Sequence, residues 1–294
     1  GVMTIFPPHY QISPTAKLVA YWRQFTDIPY AGDVAKLFSV EHAYHDLMPE
    51  SDSRMLGSEL MAPLLEARYK SIQVAIKKYE IKQVLEFASG ISLRGLAMTK
   101  DPQLIYVETD LPGLTEEKLK LINVIMDRHE IKARPNLFFY PVNIINYSEI
   151  EAALGRFDQK KPLAIVHEGL FQYLTREEKT IAAQNIHRIL QRFGGVWMTP
   201  DLDTMASLHT RLFETKQFEH FVKTIRETTG RDFEKNAFTD DADMHNFFAA
   251  LGFMIERRPQ LNNDVILSSI KDKQLPKDLY DALNSLSLWI LTAQ

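Results

Sequence analysis

The sequence predicts an α/β fold in which a mostly parallel sheet is covered by helices on both faces. Three observations lead there. From Ile81 onward, short apolar runs alternate with segments whose apolar residues recur at helical spacing. The first of these runs, VLEF, ends in the small-residue turn ASG before a helix-compatible stretch. A chain of 294 residues, 45% apolar and 24% charged, can also bury the large core such a sheet needs.

The chain opens on aromatics and prolines, FPPHY, VAYWRQF and DIPY, without a strand pattern. Helical spacing predicts helices over Thr15–Phe25 and Gly57–Tyr79, with Pro63 near the start of the second, where a missing N–H costs little. Strands are then predicted over Lys82–Phe87, Leu104–Glu108, Asn136–Tyr140, Leu163–His167 and Gly195–Thr199. Between them, Leu114–His129, Ser148–Leu154 and Arg176–Arg192 read as helices. Thr175 is placed to cap the last of these, with Glu178 closing a capping box. LHTRLFETKQFEHFVKTIRETTG and FTDDADMHNFFAALGF predict two further helices, and GFMIERRP and SLSLWILTAQ two further strands. With no repeat or flexible linker, residues 1–294 are read as one domain. It comprises a helical N-terminal cap (1–70), a ligand-binding core (71–200), a helical lid (201–250) and closing strands (251–294).

Composition excludes several functions. There are 34 basic and 38 acidic residues, a net charge of −4 without long single-sign blocks, so no footprint for nucleic acid or an anionic membrane is expected. The absence of cysteine rules out disulfides, thiolate metal sites and cysteine nucleophiles, and suits a reducing cytoplasm. No apolar run is long enough to span a bilayer. His42 and His45 share a helical spacing in EHAYHD, but HExxH is absent and no metal is predicted.

The turn after the first strand is where a nucleoside sits in sheets of this kind. Ala88, Ser89 and Gly90 let the backbone approach a ligand, and Gly95 falls where the next helix would pack on the sheet. Glu86 points a carboxylate toward the turn, which repels a pyrophosphate and attracts an ammonium or sulfonium. S-adenosylmethionine carries both positive groups and no phosphate. After the next strand, YVETDLPGL places Glu108 and Asp110 at its end, with Asp110 20 residues beyond Gly90, a spacing suited to a ribose-binding acid. Taken alone, a turn of this kind more often joins a strand to a helix and binds nothing.

Three segments in order, ASGISLRG, VETDLPGLTEEKLKLI and IVHEGLFQYLTREE, resemble the motifs of the leucine carboxyl methyltransferase family. That family has bacterial relatives described as polyketide O-methyltransferases of the tetracenomycin-pathway type. The resemblance covers roughly Arg68 to Thr180. Its most specific elements are E-x-D-x-P, with Lys118 six residues beyond the proline, and E-G-L-x-x-Y-L. It implies a Rossmann-like, S-adenosylmethionine-dependent methyltransferase fold, a seven-stranded sheet with the last strand antiparallel. Carried over by position, Glu86, Ala88, Ser89 and Gly90 form the donor-binding turn, and Asp110, followed by Leu111, is the ribose acid rather than Glu108. Glu168 is the acid ending the fourth strand, Arg68 pairs with the methionine carboxylate, and Asn143 faces the adenine. Ala88 stands where glycine is common, a methyl group tolerable if its φ is negative, and Ser92 where aspartate is frequent.

Methyl transfer from a sulfonium needs alignment and exclusion of water, not a protein nucleophile. A carboxylate acceptor needs no base, whereas a hydroxyl benefits from one. His167, beside Glu168, is the best-placed histidine, His209 and His245 are within conceivable reach, and Tyr173 borders the expected methyl position. Tyr21, Trp22, Phe25 and Tyr30 are candidates for an aromatic cap over the acceptor, although such stripes are more often plain core. The expected partner is a small-molecule methyl acceptor presenting a hydroxyl or carboxylate, polyketide-like in kind, with the oligomeric state left open. A protein C-terminal carboxylate as acceptor, a non-catalytic donor-binding module and a nicotinamide-dependent dehydrogenase stand as alternatives.

Overall fold

The computed structural model of the chain describes residues 14–47, 58–202, 204–205, 223, 226–227 and 230–294. Every predicted run becomes a strand: β1 (Gln83–Glu86), β2 (Ile105–Asp110), β3 (Leu137–Pro141), β4 (Leu163–Val166), β5 (Gly195–Thr199), β6 (Phe253–Pro259) and β7 (Ser287–Ala293). They form one seven-stranded sheet in the order β3-β2-β1-β4-β5-β7-β6. β1 to β5 run parallel, and β7 inserts antiparallel between β5 and β6.

Each central strand is buried on both faces, which is why the runs are continuously apolar rather than alternating. Leu85, Val107, Ile165 and Trp197 face a core shared with α7 (Tyr147–Leu154), α8 (Arg176–Phe193) and α10 (Asp241–Ala250). Val84, Tyr106, Ala164 and Met198 face the other core, closed by α2 (Ala31–Leu37), α4 (Ser58–Lys78), α5 (Arg94–Met98) and α6 (Pro112–Arg128). α1 (Pro14–Arg23) and α3 (Val40–Leu47) pack on each other, while α9 (Phe233–Asn236) and α11 (Lys277–Ser285) are short additions.

The ends of the helices follow their sequence signals. The capping box of α8 is present in both directions, Glu178 N–H donating to Thr175 at 3.1 Å and Thr175 N–H to Glu178 at 3.0 Å. Pro112 starts α6, where its missing N–H removes no helical bond. Pro63 differs from expectation, standing within the second turn of α4 rather than at its start. Gly95 lets α5 lie on β2: a Cβ there would meet Leu137 Cδ1 at 2.9 Å and Tyr106 Cδ1 at 3.0 Å. Most of the helix predicted from Leu208 to Gly230, His209 included, lies outside the described residues. Among the described residues no helix is long and apolar enough to cross a membrane.

Candidate active site

The carboxyl ends of β1, β2 and β4 meet at one mouth of the sheet. After β1 the chain turns sharply, with both Ala88 (φ +52°) and Gly90 (φ +54°) in the left-handed region. The expectation of a negative φ at Ala88 is therefore corrected. The turn needs that conformation, and the alanine tolerates it at a cost of about 1–2 kcal/mol that glycine would avoid. Gly90 N–H donates to Asp110 Oδ2 at 2.8 Å, and Ser89 N–H to the Thr109 carbonyl at 3.0 Å, tying the turn to the end of β2. Lys118, from α6, closes it from beneath. Its buried ammonium donates to the carbonyls of Gly90 (2.9 Å) and Ser92 and to Glu108 (3.2 Å).

The three acids around this turn differ in state. Asp110 lines the cavity described below, and Oδ1 also accepts the Leu111 N–H at 2.9 Å. Burial raises its pKa, against the pull of the two N–H donors and Lys118. Glu86 is fully enclosed and accepts the Tyr106 hydroxyl at 2.7 Å. Burial first, then the neighbouring Glu108 carboxylate, pushes its pKa up to about 8. Burial and the neighbouring carboxylate thus work against the negative charge expected of Glu86. Glu108 is likewise raised by burial, opposed by Lys118.

Glu168 follows β4 and is the most heavily paired carboxylate of the site. Arg23 Nη2 donates to its two oxygens at 2.7 and 2.9 Å, Arg68 Nε lies 3.3 Å away and Arg94 Nη2 3.4 Å. Burial opposes the charge, but the three guanidinium groups win and hold its pKa at about 2. Arg94 is itself fixed, donating to the Tyr69 carbonyl at 2.8 Å with its guanidinium 3.9 Å from the Tyr69 ring centre. Three cations around one anion leave a surplus of two positive charges, a receptor for a further carboxylate. Sequence reasoning found Arg68 and missed Arg23 and Arg94.

These groups border a cavity of about 250 Å³. Arg68, Glu86, Ala88, Ser89, Gly90, Asp110, Glu168 and Tyr173 line it; Leu111 and Asn143 do not. Leu111 is half exposed, and Asn143 Oδ1 is occupied by the Ile145 N–H at 3.2 Å. The roof is apolar, built from Val19 and Ala20 of α1, Ile28, Val34 of α2 and Phe38 just past the end of α2. The residues expected to form an aromatic cap are corrected: Tyr21, Trp22, Phe25 and Tyr30 do not line the cavity, and Phe38 is the aromatic of its roof. Trp22 is buried beside Met61 and Leu65, Tyr21 stacks on Tyr44 at 3.9 Å, and Tyr30 packs against His129, all away from the cavity.

His167 is also corrected as a catalytic residue. It is fully buried on the opposite face of the sheet, with Nδ1 2.7 Å from Asp201 Oδ2 and Nε2 accepting the Trp197 indole N–H at 2.9 Å. The indole only donates, so Nε2 supplies its lone pair there and the ring proton sits on Nδ1. Both nitrogens are spent. His245 packs edge-on against Trp289 and does not line the cavity, and His42 and His45 are exposed.

The cavity suits S-adenosylmethionine by chemistry. The arginine surplus matches its methionine carboxylate, and Asp110 keeps acceptor capacity for ribose hydroxyls. Tyr69 Oη, Ser92 Oγ and Gln172 Oε1 belong to cavity-lining residues, and each is buried without a partner among the described residues. Such orphans are rare unless a guest completes them.

The fold and site define a class, the Rossmann-like S-adenosylmethionine-dependent methyltransferases. A family model described as leucine carboxyl methyltransferase matches residues 38–187, a little over half of the chain, and the chain belongs to that family. A DUF574 family protein from Streptomyces avermitilis has a similar fold, with a TM-score of 0.58 at 13% identity, covering 95% of this chain and 97% of its own. An O-methyltransferase family protein from Burkholderia thailandensis is more distant, at a TM-score of 0.45 and 10% identity, covering 96% of this chain and 72% of its own. No curated protein sequence matches.

Proposed function

We propose that this methyltransferase transfers its methyl group to a small metabolite of polyketide-like kind, at a carboxylate in preference to a hydroxyl. When bound, S-adenosylmethionine supplies an electrophilic methyl on a sulfonium. The chain's own residues bind, orient and keep water out. Asp110 and the Ala88–Gly90 turn fix the nucleoside end, Arg23 and Arg68 the carboxylate end, and the apolar roof shields the space between.

The observation that carries the choice is the make-up of the wall. Among the described residues no histidine lines the cavity, and the Glu168 carboxylate, held at about 2 by arginines, is a poor base. A hydroxyl would have to give its proton to one of the buried carboxylates of the donor-binding turn, Glu86 or Asp110, whereas a carboxylate arrives ionised and asks for no base. The roof over the cavity supports a compact acceptor over a protein tail, which asks for an open groove.

Incubation with methyl-labelled donor and a panel of small aromatic acids, phenols and peptides tests this. The expected product from an acid is a methyl ester that releases methanol in mild alkali. Alkali-stable ethers from phenols alone would overturn the carboxylate preference. Labelling of peptide C-termini alone would favour the protein-directed alternative. Donor binding without turnover on any acceptor would point to a binding module.

A further inference from the structure

The loop after β4 brings Glu168, Gly169, Gln172 and Tyr173 to the cavity wall, yet only a single helical turn, Phe171–Tyr173, orders it. Its backbone donors converge on one side chain. Asp201, two residues beyond β5, accepts the N–H of Gly169 on Oδ1 at 2.8 Å, and those of Leu170 and Phe171 on Oδ2 at 2.9 and 3.2 Å. His167 Nδ1 lies 2.7 Å from Oδ2. A second layer holds the pair. Thr199 Oγ1 accepts the Asp201 N–H at 3.0 Å, and the Trp197 indole fixes the far side of the His167 ring.

We propose that Asp201 is the positioning residue of this methyltransferase: it shapes the Gly169–Phe171 backbone and thereby sets where Glu168 and Tyr173 stand against the bound donor. The inference rests on reading the cavity as the donor site. Four donors on one buried carboxylate form an anion-centred loop anchor, and such an anchor works only while the group is charged. Burial alone would raise the Asp201 pKa, but the His167 bond and the backbone N–H groups hold it below the usual carboxylate range. An asparagine cannot replace it, because its amide offers one acceptor oxygen and turns two N–H groups toward the loop's own donors. His167, immediately before Glu168, thus orients the anchor from the far face of the sheet and touches no reactant.

The test compares Asp201→Asn with Phe157→Leu. The second variant thins the core beside Phe193, outside the cavity wall, and controls for lost stability. Calorimetric titration with S-adenosylhomocysteine is expected to show at least tenfold weaker binding in Asp201→Asn and a change under twofold in Phe157→Leu. A nitrogen–proton spectrum is expected to show the Trp197 indole resonance displaced only in Asp201→Asn. In the wild type, the amides of Gly169 and Leu170 should exchange slowly although they lie outside every helix and strand. Wild-type-like affinity and an unmoved indole resonance in Asp201→Asn would overturn the proposal. If that variant does not fold, fast exchange of the two amides in the wild type would overturn it equally, and slow exchange would support it. A wild type that fails to bind S-adenosylhomocysteine would instead refute the donor-site reading, while the exchange and indole measurements still judge the anchor.

Discussion

Arg23 and Glu168 are 145 residues apart in the chain, and a single guanidinium nitrogen of the first lies within 2.9 Å of both carboxylate oxygens of the second. The pair joins the roof helix α1 to the end of β4 and is almost wholly buried. Arg23→Met should therefore loosen the roof as well as reduce the positive surplus. Expected outcomes are a stability loss of about 2 kcal/mol in urea titration and about tenfold weaker S-adenosylhomocysteine binding.

Acid should unfold the protein partly through Glu168. Its folded pKa, about 2, lies below the unfolded value of about 4.3. Its contribution is complete above the unfolded value and is lost as pH falls toward 2, amounting to about 3 kcal/mol. Urea stability measured from pH 5 down to 2.5 should fall steeply in the wild type and less steeply in Glu168→Gln.

Glu86 gives the opposite sign. Its folded pKa, about 8, lies above the unfolded value, so its contribution is complete below about 4.3 and is lost as pH rises through 8. Glu86→Gln keeps a neutral side chain of the same shape beside Tyr106. Its stability relative to wild type should rise from pH 5 to pH 8.5. A constant difference across that range would show that Glu86 is charged throughout.

Ala88 holds a left-handed φ of +52° that a glycine adopts freely. Ala88→Gly should raise stability by about 0.5–1 kcal/mol, the strain relieved less the entropy glycine adds to the unfolded chain. A melting temperature below wild type would contradict the turn geometry.

Gly95→Ala should act in the reverse direction. The added methyl would come within 3.1 Å of Glu108 and nearer still to Leu137 and Tyr106. A cost of about 1–3 kcal/mol is expected, with α5 pushed off β2 and Arg94 displaced from Glu168. Thermal melting together with S-adenosylhomocysteine affinity measures both effects.

The sheet was legible in the sequence because its strands are buried on both faces and read as short unbroken apolar runs, ending within two residues of where they were placed. The Ser89–Gly90 turn and Asp110 were legible for a local reason, since strand ends and spacing carry the signal. The arginine cluster was not, because Arg23, Arg68 and Arg94 converge on Glu168 from three helices and no local pattern announces a meeting of that kind. His167 misled through its adjacency to Glu168. Neighbours at a strand end point to opposite faces, so sequence contact there means spatial separation. Glu86 was placed correctly at the mouth, but the upward push on its pKa was not legible, because its desolvation and its Glu108 neighbour come from the tertiary fold.

Calorimetric titration of S-adenosylhomocysteine into the wild type and into Asp110→Ala tests the central claim, that the mouth of β1, β2 and β4 holds the methyl donor. The account predicts saturable one-to-one binding in the wild type and at least tenfold weaker binding when the Asp110 carboxylate is removed. Equal affinity in the two proteins would contradict it.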